Sequence, residues 1–410
     1  MPGFTGLKKT FHQWGGATTA FFTYTHLSHD LCISLHMALL PLIREDLGLS
    51  YLQAGFILSA YQITAGLFQI PGGWLGDRLN RHIVVAIGLG GVGLGALAIG
   101  LSSSYLSLLL ALVFLGIMAG AYHPAATSLL SSYFEESKRG KVIGLHLVGG
   151  SGGFTLGPIL GALIAAAMGW HSAFIILSIP ALAVMPFVLL KMKRQQISDA
   201  KLESKVHVGD TTLAESAPGR SLVQVLRPVA FIMLLAILTQ FIAGSAMAFI
   251  PLYLVDKHSL SPAFAAMMLG IIRGGGVLGS LLGGWLSDKW GRRNAIFLVL
   301  IATGPTLYLL TRLPFNLSLV IIFIIFGIFM QMRQSTVQPF LMDSTPSRYR
   351  GIIFGLYFGL SMEGSSMLQP VAGYFMDSFG IISVFQVVAL ASVGLSLVAL
   401  LLLKKPHLRR

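Results

Sequence analysis

Charge is scarce in this sequence. Only 10% of its 410 residues are Asp, Glu, Lys or Arg, whereas 55% are hydrophobic, and the mean hydropathy is +0.79. Soluble domains carry about 25% charged residues, so the composition excludes an ordinary soluble protein. Apolar runs of about 20 residues, long enough to cross a hydrocarbon core, recur along the chain. Because no water hydrogen-bonds to the backbone inside lipid, these runs are predicted to be helices.

Cysteine is also scarce, and the common catalytic motifs are missing. Cys32 is the single cysteine, which excludes an intramolecular disulfide. The opening MPGFTGLKKTFHQW has no short apolar core followed by a small-residue cleavage site, so we expect no removed signal peptide. The sequence has no phosphate-binding loop, catalytic triad or zinc-ligand spacing. It therefore predicts no enzyme activity, no metal and no cofactor, and a proton gradient as the source of energy.

The apolar runs predict an all-α membrane protein with twelve spans. In chain order, spans 1 to 12 lie at about 17–43, 52–75, 82–102, 106–132, 142–167, 171–191, 229–253, 263–286, 294–312, 317–341, 352–376 and 382–403.

Basic residues lie almost entirely on one side of these spans. If the N-terminus is cytoplasmic, only Arg44, Lys257 and Arg312 fall in outer loops. Since basic loops stay in the cytoplasm, both termini are predicted to be cytoplasmic, in a multi-pass protein of a bacterial inner membrane. The net charge of +13 is then explained by the basic cytoplasmic loops and termini. We expect the bilayer and a small molecule as partners, no nucleic acid, and a monomer.

The chain contains a repeat of six spans. The segment GGWLGDRLNRH at 72–82 returns as GGWLSDKWGRRN at 283–294, an offset of 211 residues. The same offset relates Leu49-Ser50 to Leu260-Ser261, Arg139-Gly140 to Arg350-Gly351, Gly144-Leu145 to Gly355-Leu356 and Gly169 to Gly380. An even number of spans keeps the two copies parallel, and such halves enclose a site between them near the midplane. We predict an N-terminal bundle at 1–190, a flexible polar linker at 191–228 and a C-terminal bundle at 229–410.

Twelve spans in two halves with this paired turn resemble the major facilitator superfamily over the whole chain. The resemblance implies two pseudo-symmetric six-helix bundles and transport by alternating access. It also implies that the two turns act as conformational gates, through Gly73, Asp77, Arg78 and Arg81 in the first and Gly284, Asp288, Lys289 and Arg292 in the second. Asn80 stands where the family motif usually has glycine, and Asn tolerates a left-handed backbone better than most residues.

Two further segments narrow the branch. GGFTLGPILGA in span 5 resembles the motif that marks antiporters of this superfamily, through Gly153, Gly157, Pro158 and Gly161. Tight helix packing without a role in coupling is the alternative reading of these small residues. In span 4, Gly116 stands where drug/proton antiporters carry an arginine, which puts proton coupling by that route in doubt. The segments AYHPAA and GGSGGFTLGP together resemble the fosmidomycin-resistance-type branch.

Ionisable residues at membrane depth are costly and usually functional. Asp30 and Glu363 are the candidates for proton coupling, although a structural ion pair or hydrogen-bonded carboxyl remains the alternative for each. Candidates for the substrate cavity are His29, Gln62, His123, Arg273, Arg333 and Gln334. The two arginines are expected to contact an anionic substrate or to pair with Glu363, and a purely structural role is the alternative. His26, His29 and Asp30 also suggest a metal cluster, but neighbouring positions on one helix converge only partly, so we favour hydrogen bonding.

These observations predict a secondary active transporter for a small amphiphilic or anionic solute, exporting it in exchange for protons. An importer or exchanger of an organic or phosphorylated anion keeps the same fold and uses Arg273 and Arg333 to hold the anion. A membrane receptor without transport is the third possibility, and the charged spans argue against it.

Overall fold

The computed structural model describes residues 16–202, 222–346, 349, 353, 356–357 and 359–403. Within these ranges the chain is helical and contains no strand. Spans 1 to 6 are formed by the helices Gly16–Ala38 with Leu40–Asp46, Tyr51–Arg78, Arg81–Gly100, Tyr105–Ser132, and Glu136–Leu202, which contains both span 5 and span 6. Spans 7 to 12 are formed by Leu222–His258, Pro262–Trp290, Arg292–Arg312, Leu317–Ser344, the π-helical turn Gly359–Glu363 with Gly364–Phe379, and Ile381–Leu403.

Many of these helices satisfy the requirements of a membrane span by length and composition. Among the described residues, 8 helices do so, or 9 if Gly16–Ala38 and Leu40–Asp46, bent by 52°, form one span. The helix Glu136–Leu202 is interrupted at Gly169, whose φ of 81° and ψ of 159° separate span 5 from span 6. The architecture is therefore the predicted all-α membrane fold.

The repeat is visible in the backbone. Ser50 and Ser261, 211 residues apart, cap spans 2 and 8 by accepting a hydrogen bond from the backbone N–H three residues ahead. Gly169 and Gly380 share a left-handed backbone, with φ of 81° and 77°. Equivalent positions thus end and begin helices in the same way in both halves.

The two gate turns differ in conformation. Gly291 has φ 84°, the left-handed region that favours glycine. Asn80 at the equivalent position has φ −61° and ψ 119°, and its side chain caps span 3 by accepting a hydrogen bond from the N–H of His82. Asn80 therefore does not mimic the glycine; it replaces the left-handed turn with a helix cap.

Helical structure extends into the predicted linker from both of its ends. The helix of span 6 continues to Leu202, and span 7 begins at Leu222 rather than near residue 229. Residues 203–221 lie outside the described part of the chain.

The halves touch along spans 2 and 11 and along spans 5 and 8. A Cβ atom at Gly55 of span 2 would lie 2.5 Å from the carbonyl oxygen of Gln369, and one at Gly270 of span 8 would lie 2.8 Å from that of Thr155. Glycine thus permits backbone-to-backbone contact at both crossings.

These contacts lie nearer the end of the bundle at which spans 2 and 8 begin. We call this end the Tyr51 end. There the Asp377 carboxylate accepts hydrogen bonds from the backbone N–H groups of Tyr51 and Leu52, at 2.8 and 2.9 Å. Toward the gate turns, a Cβ atom at Gly144 or Gly284 would meet no atom within 4 Å. Among the described residues, the close contacts between the halves therefore lie toward the Tyr51 end and not at these two positions near the gate turns.

Candidate substrate cavity and buried histidine–aspartate cluster

A cavity of about 130 Å³ lies between the halves. Its described lining residues are Met37, Gln62, Gln240, Gly244, Met247, Ile272, Arg273, Gly276, Gly327, Met330, Gln331, Arg333, Gln334, Ser365 and Gln369. Most belong to the C-terminal half. The lining combines amide side chains and thioethers with two guanidinium groups, and it includes no described acidic residue.

Arg333 is a fixed positive charge in the cavity wall. It is 2% exposed, and its Nη1 donates a hydrogen bond of 2.8 Å to the Tyr357 hydroxyl. Nη2 donates to Oε1 of Gln240, whereas Nε has no hydrogen-bond partner among the described residues. Neutral groups therefore orient the guanidinium without cancelling its charge.

Arg273 faces the same cavity from span 8. Its Nη2 lies 3.7 Å from the sulfur of Met37, and its guanidinium lies 5.3 Å from the centre of the Phe154 ring. Within the described part of the chain, no carboxylate forms a salt bridge with Arg273 or Arg333. Two guanidinium groups with no carboxylate partner among the described residues make the cavity attractive to anions.

The predicted cavity residues divide into two groups. Gln62, Arg273, Arg333 and Gln334 line the cavity, whereas His29 and His123 lie within the N-terminal half and are not among its lining residues. The side chain of Glu363 lies outside the described part of the chain. Gln240 and Gln369 also line the cavity but were not predicted from the sequence. The sequence feature that could have indicated them is an amide side chain within an apolar span.

His26, His29 and Asp30 form a buried cluster on span 1. His29 Nδ1 lies 2.6 Å from Asp30 Oδ1, and His26 Nε2 lies 3.3 Å from Asp30 Oδ2. His29 stacks on the ring of Tyr122 with the centroids 4.3 Å apart, and its Nε2 has no hydrogen-bond partner among the described residues. Each oxygen of the carboxylate thus faces a different imidazole.

Span 5 orients one of these imidazoles. His26 Nδ1 lies 2.9 Å from the carbonyl oxygen of His146, and the two rings stack with centroids 4.3 Å apart. A carbonyl oxygen can only accept, so Nδ1 of His26 carries the hydrogen. The remaining nitrogen, Nε2, therefore points at Asp30.

The antiporter-like motif packs directly on this part of span 1. A Cβ atom at Gly153 would lie 2.7 Å from Cβ of Asp30, and one at Gly161 would lie 2.6 Å from Leu35 Cδ2. A Cβ atom at Gly157 would likewise overlap the hydroxyl oxygen of Ser34. The small residues therefore allow span 5 to pack closely against span 1.

Gly116 also has a packing role. A Cβ atom there would overlap Thr64 Oγ1 and would lie 2.5 Å from the carbonyl oxygen of Tyr61 on span 2. Because the two helices touch at this point, an arginine at position 116 has no room in this conformation.

The second gate turn contains a charge network. Arg292 Nη1 lies 3.1 Å from Asp288 Oδ1, and Arg292 Nε lies 2.6 Å from Asp343 Oδ2 on span 10. Ser132 stands at the position equivalent to Asp343 in the N-terminal half. The side chain of Asp77 lies outside the described part of the chain, so the role of the first turn as a conformational gate stays a prediction.

The helical fold with a cavity between two related halves defines a multi-pass membrane transporter. The chain belongs to the Major Facilitator Superfamily, whose family model matches residues 23–370 and 232–410. As a member, it is an integral membrane protein that transports a small-molecule substrate, and it is not an enzyme.

Similar proteins have diverse substrates. The fosmidomycin resistance protein of Escherichia coli K12 is 24% identical over 365 residues, which cover 89% of this chain and 87% of that protein. A probable sulfoacetate transporter of Cupriavidus necator is 26% identical, covering 83% of this chain and 82% of its own. The structure of a bacterial homologue of the human lysosomal transporter Spinster, inward-facing and occupied, has a TM-score of 0.73 and 17% identity, covering 93% of this chain and 94% of that one.

Proposed function

We propose that this secondary transporter moves a small anionic or amphiphilic solute and exports it in exchange for protons. The positive cavity supports the choice of solute. Arg273 and Arg333 both face the cavity without a carboxylate partner among the described residues. Burying an unpaired charge is costly, and a bound anion relieves that cost. The amides of Gln62 and Gln334 add donors and acceptors for the remaining polar groups of the solute.

The difference between the two ends supports alternating access. Asp377 joins the halves at the Tyr51 end, whereas toward the gate turns a Cβ atom at Gly144 or Gly284 would meet no described atom within 4 Å. With the basic loops in the cytoplasm, this conformation is inward-facing. In that state the cavity receives solute from the cytoplasm, as an exporter requires.

Two observations support export. The antiporter-like motif lies in span 5, and the fosmidomycin resistance protein is among the similar proteins. Proton exchange is our proposal for the coupling, and Asp30 and Glu363 stay predictions for the groups that carry it.

Uptake or exchange of an organic or phosphorylated anion is the second candidate. The paired arginines of the cavity favour it, as does Gly116 at the position where proton-coupled drug exporters carry arginine. A probable sulfoacetate transporter among the similar proteins fits the same class of solute.

Counterflow into proteoliposomes tests these proposals. Phosphonates, organic acids and cationic drugs are each offered with and without a pH gradient. We expect a proton gradient to drive the flux of an anion, in the direction that corresponds to export from the cell. Anion flux that does not depend on the pH gradient would identify an anion exchanger, the second candidate. Flux of cationic drugs alone would overturn both candidates.

Variants connect the flux to the cavity. Arg273→Gln and Arg333→Gln should each weaken anion transport at least tenfold, because each removes a guanidinium from the cavity wall. Arg312→Gln is the matched control, since Arg312 lies at the far end of span 9 against the Tyr308 ring. Equal flux in all three variants would contradict a role for the cavity arginines.

A further inference from the structure

We propose that His26, Asp30 and His123 form a binding site for a divalent transition metal ion of the zinc class. One ligand atom from each residue, a ring nitrogen or a carboxylate oxygen, lies within 4.8 Å of the other two. His123 belongs to span 4, so the site joins two spans. The sequence argument against a metal considered span 1 alone and could not include a ligand that only tertiary packing supplies.

The spacing of the first two ligands already fits such an ion. Zinc binds imidazole nitrogen and carboxylate oxygen at about 2.0–2.2 Å in tetrahedral geometry, which separates neighbouring ligand atoms by about 3.3–3.5 Å. His26 Nε2 and Asp30 Oδ2 are 3.3 Å apart. A rotation of the His123 ring toward this pair completes three protein ligands, and a water or other small ligand takes the fourth position.

Neighbouring groups hold both ligands in the orientation that metal binding needs. The His146 carbonyl oxygen binds Nδ1 of His26 and so leaves the lone pair of Nε2 directed at Asp30. His29 Nδ1 donates to Asp30 Oδ1, which leaves Oδ2 for the ion. A carbonyl behind a histidine and a donor behind a carboxylate are the usual outer partners of metal ligands.

The same geometry requires a cation. In neutral His26 of this tautomer, the lone pair of Nε2 faces the lone pairs of the carboxylate, and the two repel. A metal ion between them turns the contact into two coordination bonds. A proton does the same with a single hydrogen bond, so protonation of His26 alone is the competing explanation.

Gly150 leaves room for the ion. A Cβ atom at this position of span 5 would lie 2.6 Å from His26 Nε2 and 2.7 Å from Asp30 Oδ2. A methyl group there would occupy the space beside both ligand atoms without removing either. His123 is partly exposed, unlike His26 and Asp30, and provides the side from which an ion approaches.

The test is binding of Zn²⁺ and Co²⁺ to purified full-length protein in detergent. Competition with a chromophoric chelator gives affinity and stoichiometry for Zn²⁺, and visible absorption of Co²⁺ reports its coordination. We expect one ion per chain, a rise in the thermal unfolding midpoint with Zn²⁺, and release of protons on binding at low pH.

Four variants locate the ion. His123→Gln and Asp30→Asn each remove a ligand, Gly150→Ala fills the space, and all three should weaken Zn²⁺ binding at least tenfold. His29→Leu removes an outer partner and should weaken it roughly 10- to 100-fold. His171→Gln is the matched control, because His171 binds the Ser102 carbonyl oxygen away from the cluster.

The proposal is overturned if the wild-type protein binds no Zn²⁺, the result expected when His26 is merely protonated. It is also overturned if folded Asp30→Asn and His123→Gln bind Zn²⁺ like the wild type. Size-exclusion profiles identify folded variants. If Gly150→Ala fails to fold, Asp30→Asn still tests the site, because it preserves the shape of the side chain. Binding is measured without flux, so its outcome is independent of the counterflow experiment.

Discussion

The carboxylate of Asp377, near the end of span 11, caps the first turn of span 2 at Tyr51. It accepts the N–H of Tyr51 at 2.8 Å and that of Leu52 at 2.9 Å, across the boundary between the two halves. Helix N-termini attract anions, so this cap holds the halves together at one end of the molecule. The Tyr51 hydroxyl adds a hydrogen bond to Asp256 of span 7.

Replacing this cap should open the Tyr51 end. Charge-assisted hydrogen bonds contribute about 1.5–3 kcal/mol each, so Asp377→Ala should shift the population toward opening at least about tenfold. A cysteine introduced at Ser59, which is 3% exposed below the cap, should then react faster with a membrane-impermeant maleimide.

A nearby aspartate provides the control for that experiment. Asp46 lies at the same end, but it accepts a hydrogen bond from Trp170 Nε1 of its own half at 3.1 Å. Asp46→Ala should leave the labelling rate unchanged. Equal rates in both variants would show that Asp377 does not hold the halves together.

The contact between spans 2 and 4 should reject any added side chain. Gly116→Ala forces its methyl group into Thr64 and the Tyr61 carbonyl, and overpacking of this kind costs about 1–3 kcal/mol. Gly144→Ala meets nothing within 4 Å. Thermal unfolding in detergent should therefore show a lower midpoint for Gly116→Ala only, and matching midpoints would refute the close approach.

The gate network of span 8 should add little to stability. Arg292, Asp288 and Asp343 are solvent-accessible, with side-chain exposures of 34%, 73% and 61%. Exposed ion pairs are worth about 0–1 kcal/mol, so Asp343→Asn should change the unfolding midpoint by no more than a few degrees. A large loss of stability would mean that Asp343 supports the fold and not the gate.

Tyr357 should affect binding of the solute indirectly, because it orients Arg333. In Tyr357→Phe, Nη1 of Arg333 loses its partner at 2.8 Å, and the guanidinium is less well oriented. We expect weaker anion binding, by a factor of about 10, with little change in folding. Tyr374→Phe, at an exposed site on span 11, should bind the anion as the wild type does. Flux measured over a range of anion concentrations separates the two variants.

Periodicity and repetition predicted the fold well because they depend on local chemistry. The caps at Ser50 and Ser261 and the breaks at Gly169 and Gly380 follow from residue types that end or begin helices. The conformation of Asn80 was less predictable, since a cap and a left-handed turn are both open to asparagine.

The site was predictable only in part. Helical spacing brings His26 and Asp30 together, since residues four apart share a face. The approach of His123 and Gly150 depends on how spans 4 and 5 pack against span 1, which no spacing along the chain encodes. The cap that Asp377 places on Tyr51 joins positions 326 residues apart, again through packing alone.

The glycine crossings between the halves bear on the energetics of switching. Where Gly55 meets the backbone of Gln369 and Gly373 meets that of Tyr51, main chain lies directly against main chain. Separating such surfaces exposes little hydrocarbon, so the hydrophobic effect offers little resistance to the movement. At these crossings the resistance to separation comes mainly from polar contacts such as the Asp377 cap, which the difference in a small solute's binding energy between the two conformations can offset.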